Sequence, residues 1–224
     1  MQLTKKEQLW GLVYLALSLL IVPALLPFSV QLLFPAAAGA ALNFACFLCN
    51  FVCTVVIFRR QLAAGAKLLI AMPRLNAVVI VLGLCAYFAL NRLVSAVILT
   101  VLPDFANIND NTVHTLLSQD FYLMAVGTVF LVPVAEELLY RGLVFGSFLK
   151  KSPTLAYLVS VPVFCAIHVL PYAGEQALPV LLGCFLQYVP AGICLGWAYH
   201  KSGNIFAPIL IHAIINALGI AAVR

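Results

Sequence analysis

The chain has 224 residues, of which 65% are apolar and only 8% are charged, and its formal net charge is +5. A soluble domain carries about 25% charged residues, so this composition excludes a water-soluble globule. The same apolar content excludes a disordered chain. No basic cluster exceeds a few residues, which argues against a nucleic acid as partner. The composition predicts an integral membrane protein that has the lipid bilayer as its surroundings.

Apolar runs long enough to cross a membrane recur along the chain, since one helical crossing takes about 20 residues. The predicted spans lie at residues 9–28, 36–58, 77–102, 121–149, 155–170, 178–199 and 205–223. The segment 61–75 is too short to span and carries Lys67 and Arg74, so we expect it to lie at the membrane interface. We therefore predict an all-α fold, a polytopic membrane helix bundle of about seven to eight transmembrane helices.

The charges of the loops predict the orientation, because Lys and Arg concentrate in cytoplasmic loops. With the amino terminus in the cytoplasm, the inner loops hold nine of the 12 basic residues: Lys5, Lys6, Arg59, Arg60, Lys67, Arg74, Lys150, Lys151 and Lys201. The other three are Arg92 and Arg141 within spans and Arg224 at the end. The outer loops hold no Lys or Arg but four acidic residues: Asp104, Asp110, Asp120 and Glu175. We expect a multi-pass protein of a bacterial plasma membrane with a cytoplasmic amino terminus.

Two adjacent carboxylates, Glu136 and Glu137, lie in the middle of a predicted span. An ionisable group at the centre of a membrane helix costs at least about 2.5–3.5 kcal/mol, so it indicates pairing, a wet cavity or chemistry. Glu137 and Arg141 are four residues apart on one helix face, and we predict that they pair. Glu136 points about 100° away, and Pro133 can kink the helix one turn earlier. Glu136 therefore needs a separate partner: a water, a histidine or a metal ion.

Histidines on two later spans are the candidate partners of Glu136. His168 lies in the fifth span and His212 in the last, with Asn216 one turn further on the same face as His212. At 1.5 Å per residue, Glu136 and His168 both lie about 20 Å from the predicted cytoplasmic end. We predict one shared polar site from these four residues. The remaining histidines, His114 in an outer loop and His200 at a helix end, are interpreted as ordinary solvated residues.

Such a site has the equipment to hydrolyse a peptide bond. Glu136 and His168 can hold and deprotonate a water, and His212 and Asn216 can donate hydrogen bonds to a developing oxyanion. Neither a Gly-x-Ser-x-Gly nucleophile motif nor a His-Glu-x-x-His zinc motif is present. Two histidines and a carboxylate also suit Zn²⁺. A zinc ion on Glu136, His168 and His212 is therefore an open alternative, and no cofactor is certain.

Three motifs occur in order on separate late spans: Glu136-Glu137-x-x-x-Arg141, Phe164-x-x-x-His168 and His212-x-x-x-Asn216. The set resembles the CPBP (Abi) intramembrane proteases, named for CAAX proteases and bacteriocin processing, which are relatives of the type II CAAX prenyl endopeptidases. The resemblance covers about residues 120–220. We therefore predict a single membrane domain, 1–224, with amino-terminal helices in 1–119 and a CPBP-like catalytic core in 120–220.

The resemblance also implies a site and an activity. It implies a cavity that opens toward the cytoplasm, Glu136 as general base, and His168 as the residue that helps to activate the water. His212 and Asn216 would stabilise the oxyanion. The resemblance leaves open whether such an intramembrane endopeptidase is of the glutamate type or depends on a metal.

Glu137 and Arg141 would, by the same resemblance, position the site rather than react. The expected substrate is a peptide or a membrane-associated protein, such as a peptide pheromone or bacteriocin precursor. Two other functions stay open: a non-catalytic membrane immunity or scaffold protein, and a small transporter or proton relay that uses Glu136 and the histidines.

Overall fold

The computed structural model describes residues 3–222, and the regular elements in this range are helices. In chain order the helices are α1 (Lys5–Leu20), α2 (Val22–Leu33), α3 (Gly39–Ile57), α4 (Arg59–Ala71), α5 (Pro73–Val101), α6 (Ile108–Gln119), α7 (Phe121–Leu149), α8 (Pro153–Val169), α9 (Leu178–Ser202) and α10 (Phe206–Ala221). A 3₁₀ turn, Leu170–Tyr172, follows α8. The predicted all-α membrane bundle is confirmed.

The number of full spans is lower than predicted. Within residues 3–222, α3, α5, α7, α8 with its following turn, and α9 are long and apolar enough to cross a membrane. Helices α1 and α2 pass the same test together but are bent by 62°, and Pro23 in the first turn of α2 lacks the N–H that a straight helix would use there. Helix α10 has only 16 residues. The structure therefore has five to six candidate spans, and seven are reached only if α10 is counted.

The predicted short helix near 61–75 is present as α4, which ends at Ala71, just before Pro73 begins α5. Its buried face packs on the bundle: the Gln61 amide donates to the Tyr199 hydroxyl over 3.2 Å. A Cβ on Gly65 would lie 3.2 Å from Ile205. Helix α4 thus covers the place where α9 ends and α10 begins.

Contacts between helix termini define two ends of the bundle. We call one the basic end, since it holds the nine Lys and Arg residues of the predicted inner loops; there Asn204 donates to Asn76 over 2.7 Å, joining the starts of α10 and α5. The other, the acidic end, holds the four acidic residues of the predicted outer loops. At this end the backbone N–H of Ala40 donates to Gln119, which joins the start of α3 to the end of α6. Arg224 lies outside the described residues.

Helix α7 departs from regular α geometry on both sides of its proline. A short α segment, Val132–Glu136, lies between two π-helical segments, Gly127–Leu131 and Glu137–Phe145. Pro133 cannot donate a backbone hydrogen bond, so the irregularity that its position predicts takes the form of π turns, which are frequent at functional sites. All nine residues of Glu137–Phe145 are buried.

The largest apolar core includes residues of the second π segment and extends from there toward the basic end. It contains side chains that are at most 1% exposed: Phe58, Leu138, Leu143, Phe145, Phe164 and Ile205. Because these side chains come from α7 and α8, from the residue between α3 and α4, and from the residue just before α10, the core fills the bundle on the basic side of Glu136. Open space is left on the acidic side.

Candidate active site

One cavity of about 540 Å³ contains all four side chains that the sequence predicts as catalytic. Glu136 comes from α7, His168 from α8, and both His212 and Asn216 from α10. The three motifs therefore meet, as predicted, although they are separated by up to 80 residues of chain.

Glu136 and His168 face each other in this cavity. His168 Nε2 lies 3.8 Å from Glu136 Oε2, and the two side chains are 14% and 23% exposed. Glu136 Oε2 is buried and has no hydrogen-bond partner among the described residues. A separation of 3.8 Å is too long for a hydrogen bond, but one small molecule can bridge the two atoms.

The hydrogen bond of the other ring nitrogen of His168 fixes the tautomer of the neutral ring. His168 Nδ1 lies 2.8 Å from the backbone oxygen of Phe164, one turn earlier on α8. A carbonyl oxygen only accepts hydrogen bonds, so Nδ1 carries the proton. In the neutral ring the lone pair is then on Nε2, directed at Glu136.

Tyr188 holds the His168 ring from its other side. The two rings are stacked, with centroids 4.2 Å apart and planes 23° from parallel. The Tyr188 hydroxyl accepts a hydrogen bond from the Asn109 amide at 2.9 Å. Helix α6, in the amino-terminal half, is thereby linked to the site in the carboxyl-terminal half.

Glu137 is the centre of a buried charged cluster next to the cavity. Its Oε1 accepts from Arg141 at 3.0 Å and from His212 Nδ1 at 2.8 Å, and the Glu137 and Arg141 side chains are 0% and 1% exposed. The predicted pairing of Glu137 with Arg141 is confirmed, whereas its bond to His212 was not predicted. Because Nδ1 donates to Glu137, the Nε2 atom of His212 is the ring nitrogen left for other partners.

The Phe164 ring explains why an aromatic residue precedes His168 by one turn. The Arg141 guanidinium carbon lies 4.0 Å from the centre of this ring, a cation–π contact. The His168 and His212 rings lie 4.7 and 6.4 Å from the same ring, centroid to centroid. Phe164 therefore separates the buried charges from the cavity and supports both histidines.

Asn216 is anchored to α7. Its Nδ2 donates to the backbone oxygen of Thr128 over 2.8 Å. Thr128 belongs to the first π segment, Gly127–Leu131. The backbone oxygen that holds Asn216 therefore lies in the distorted part of α7. Each amide Nδ2 carries two hydrogens, and the second is left for another acceptor.

The structure bears on the zinc alternative through the placement of the candidate ligands. Among residues 3–222, no group of three His, Cys, Asp or Glu side chains is placed so that it could hold a metal ion. Glu136, His168 and His212, which the sequence offered for zinc, line the same cavity.

Several cavity residues were not predicted. The sequence treats 104–120 as a polar outer loop, yet Asn109, Asp110 and His114 line the cavity. His114 is exposed, as predicted, but it is also part of the cavity wall. Desolvation by the surrounding protein raises the pKa of the Asp110 carboxyl, and His114 opposes this shift. The Asn-rich composition of this segment was the one feature of the sequence that could have indicated a polar cavity wall.

Glu136 also borders a second, smaller space of about 110 Å³ between α1, α3 and α7. Ser18 and Asn50 contribute polar groups to it, and Asn50 Oδ1 accepts from the Tyr14 hydroxyl over 2.7 Å. The Glu136 carboxylate is therefore bordered by space on two sides.

The cavity reaches the surface at the acidic end of the bundle. From His212 its wall continues along α10 to Ala222, past Asn216 and Gly219, while the apolar core lies on the basic side. The resemblance implies a cavity open to the cytoplasm, and the loop charges imply a cytoplasmic basic end. In this structure those two expectations exclude each other.

Two comparisons with known proteins give matches to part of the chain. Residues 118–218 match the model of the Rce1-like family, type II CAAX prenyl endopeptidases. The chain is 30% identical over 94 residues, 42% of its length, to the UPF0177 protein YxdF of Lactococcus lactis subsp. lactis (strain IL1403). That match spans 46% of the relative, about half of its length. No solved structure matches significantly.

All three motifs lie within residues 118–218. The helices and these matches make the chain a multi-pass membrane protein. Over residues 118–218, the chain is similar to the type II CAAX prenyl endopeptidases of the Rce1-like family.

Proposed function

We propose that this protein is an intramembrane endopeptidase of the glutamate type, which hydrolyses a peptide bond with a water held by Glu136 and His168. The observation that carries the proposal is the pair formed by Glu136 Oε2 and His168 Nε2, 3.8 Å apart in a cavity. Both atoms are hydrogen-bond acceptors when the carboxylate is ionised and the ring is neutral. A water that donates one hydrogen to each presents its own lone pairs to a substrate carbonyl.

In this mechanism Glu136 takes the proton of the water as the water oxygen bonds to the carbonyl carbon. Such general-base catalysis contributes about 10²–10⁴-fold to a rate. The same proton then passes from Glu136 to the leaving nitrogen, while the carbon–nitrogen bond breaks. His168 holds the water and orients it, with its own ring kept in place by Phe164 and Tyr188.

The charge that develops on the carbonyl oxygen requires donors. His212 and Asn216 are on the cavity wall and supply them: His212 through Nε2–H, which it carries when the ring is protonated, and Asn216 through its second amide hydrogen. The Glu137 carboxylate accepts a hydrogen bond from His212 Nδ1 and so holds the ring with Nε2 available. Glu137 and Arg141 thus act behind the cavity and do not touch the substrate.

The substrate in this proposal is an apolar peptide or a membrane-associated protein segment in extended form. Amide side chains on the cavity wall, among them Asn43, Asn91 and Gln187, can pair with peptide backbone groups. Peptide pheromone and bacteriocin precursors belong to this class, and CAAX-type substrates are a further member.

The test uses membranes that contain the full chain and a pool of apolar peptides, with cleavage products read by mass spectrometry. Glu136→Gln and His212→Ala are expected to lose cleavage by at least about 10²-fold. The matched control is Glu175→Gln, which makes the same chemical change at an exposed site in the turn before α9 and leaves cleavage unchanged. Equal processing by the wild type and both site variants would defeat the proposal and favour a non-catalytic scaffold.

A further inference from the structure

We infer that the substrate reaches Glu136 through the acidic end of the bundle and that this end faces the outside of the cell. The enzyme therefore cleaves peptides or membrane-anchored segments presented on the extracytoplasmic side. The inference rests on the proposed function and adds to it the side of access and the class of substrate.

The first support is the shape of the cavity. Its wall includes Asn109, Asp110 and His114 of α6 and, on α10, runs from His212 toward Ala222 at the acidic end. His212 is nine residues from Ala221, which is about 14 Å of helix at 1.5 Å per residue. This is a short path for an extended peptide.

The second support is that the basic side of the site is filled. Leu138, Phe145 and Ile205, each 0% exposed, lie in the core on that side. The ion pair of Glu137 with Arg141 is equally buried. A peptide approaching from the basic end would have to displace this core, whereas one approaching from the acidic end would not.

The third support is the charge distribution, which sets the absolute orientation. Nine basic residues lie at one end, and the loops of the other hold acidic residues and no Lys or Arg. Lys and Arg in short loops are retained on the cytoplasmic side. The end with the cavity is therefore extracytoplasmic.

The mouth also indicates which segments enter. Asp110 is the acidic residue of the mouth beside His114, and no Lys or Arg within residues 3–222 lines the cavity. A neutral or basic segment is therefore received more favourably there than an acidic one. The substrate class is an apolar sequence with neutral or basic flanks.

The orientation is tested by cysteine labelling in intact cells, with no dependence on activity. His114→Cys at the cavity mouth is paired with Lys151→Cys at the basic end, and both positions are exposed. Both variants carry Cys85→Ser, since Cys85 is the exposed native cysteine. A membrane-impermeant maleimide is expected to label His114→Cys in intact cells and Lys151→Cys only after lysis. The reverse pattern overturns the inference.

Access is tested with an impermeant peptide that has an apolar centre and basic flanks, added to intact cells and to lysed membranes. Cleavage by intact wild-type cells, lost in Glu136→Gln, supports the inference, and cleavage in lysed membranes alone overturns it while the proposed function stands. If lysed membranes cleave nothing, the protease proposal fails for this peptide class, and the labelling result still decides the orientation.

Discussion

His212 Nδ1 lies 2.8 Å from Glu137 Oε1, the same oxygen atom that Arg141 contacts at 3.0 Å. A single carboxylate oxygen thus joins the first of the three sequence motifs to the third. Glu137 is fully buried, so the charge it carries is balanced by these partners and not by water. The second glutamate of the pair therefore has a different task from the first.

The two adjacent glutamates should respond differently to the same substitution. Glu136→Gln removes a carboxylate whose Oε2 lacks a hydrogen-bond partner among the described residues, so we expect loss of cleavage without loss of thermal stability. Glu137→Gln breaks a buried ion pair, and we expect it to lower the free energy of unfolding by about 3–5 kcal/mol as well as the activity. Peptide cleavage and thermal unfolding in detergent, measured on both variants, separate the two roles. Equal loss of stability in both variants would contradict this assignment.

Arg141 should not tolerate lysine. The guanidinium contacts Glu137, the backbone oxygen of Ala191 and the Phe164 ring, and an ammonium group reproduces the charge but not the planar fork. We expect Arg141→Lys to lower the melting temperature, and Arg141→Met to lower it further, because Met leaves Glu137 buried without a cation at a cost of about 3–5 kcal/mol. Lys201→Met, at an exposed position, is the control. An Arg141→Lys variant as stable as the wild type would show that the planar shape of the guanidinium does not contribute to stability.

Phe164→Leu tests the aromatic ring between the buried charges and the histidines. Leucine keeps the apolar volume but loses the cation–π contact with Arg141, which is worth about 2 kcal/mol in a desolvated position. We expect a stability loss of that size and a lower kcat, since the ring also contacts His168 and His212. Thermal unfolding and single-turnover cleavage measure the two effects. Phe130→Leu, on the exposed side of α7, should change neither.

Tyr188 should act through its ring more than through its hydroxyl. Tyr188→Phe keeps the stack on His168 but loses the hydrogen bond from Asn109, so we expect a small decrease in kcat. Tyr188→Leu removes the stack and should lower kcat strongly, with KM little changed, because the bond to the Phe164 backbone oxygen is then left to orient the His168 ring without the stacked tyrosine. The measurement is the ratio of kcat in Tyr188→Phe to kcat in Tyr188→Leu. The Phe variant is the internal control, because it keeps an aromatic ring at this position. If Phe and Leu reduce kcat equally, the hydroxyl and not the stack orients His168.

Much of the site could be predicted from sequence because placing its ionisable side chains in an apolar membrane span costs free energy. Charged and imidazole groups in an apolar span survive only when they are paired, hydrated or functional, so Glu136, Glu137, His168 and His212 stand out without coordinates. The i, i+4 spacing of Glu137 and Arg141 was sufficient to predict their ion pair, which the structure contains. The span count was less certain, because hydropathy does not reveal the bend between α1 and α2.

Other features depend on contacts between distant segments, for which local sequence has no signal. Asn109 and Tyr188 are 79 residues apart, and a polar stretch such as 104–120 is interpreted as a solvated loop unless its packing is known. The bond between His212 and Glu137 likewise depends on how α10 rotates against α7.

The sequence alone determined that this is a helical membrane protein with a polar site on its late helices, because the cost of burying charge in lipid is a property of each residue and its immediate neighbours. Only the tertiary structure decided which glutamate faces the cavity, which partner each histidine has, and that the cavity opens at the acidic end. Those depend on the rotation and depth of helices packed against one another, and apolar surfaces fix that packing collectively rather than residue by residue.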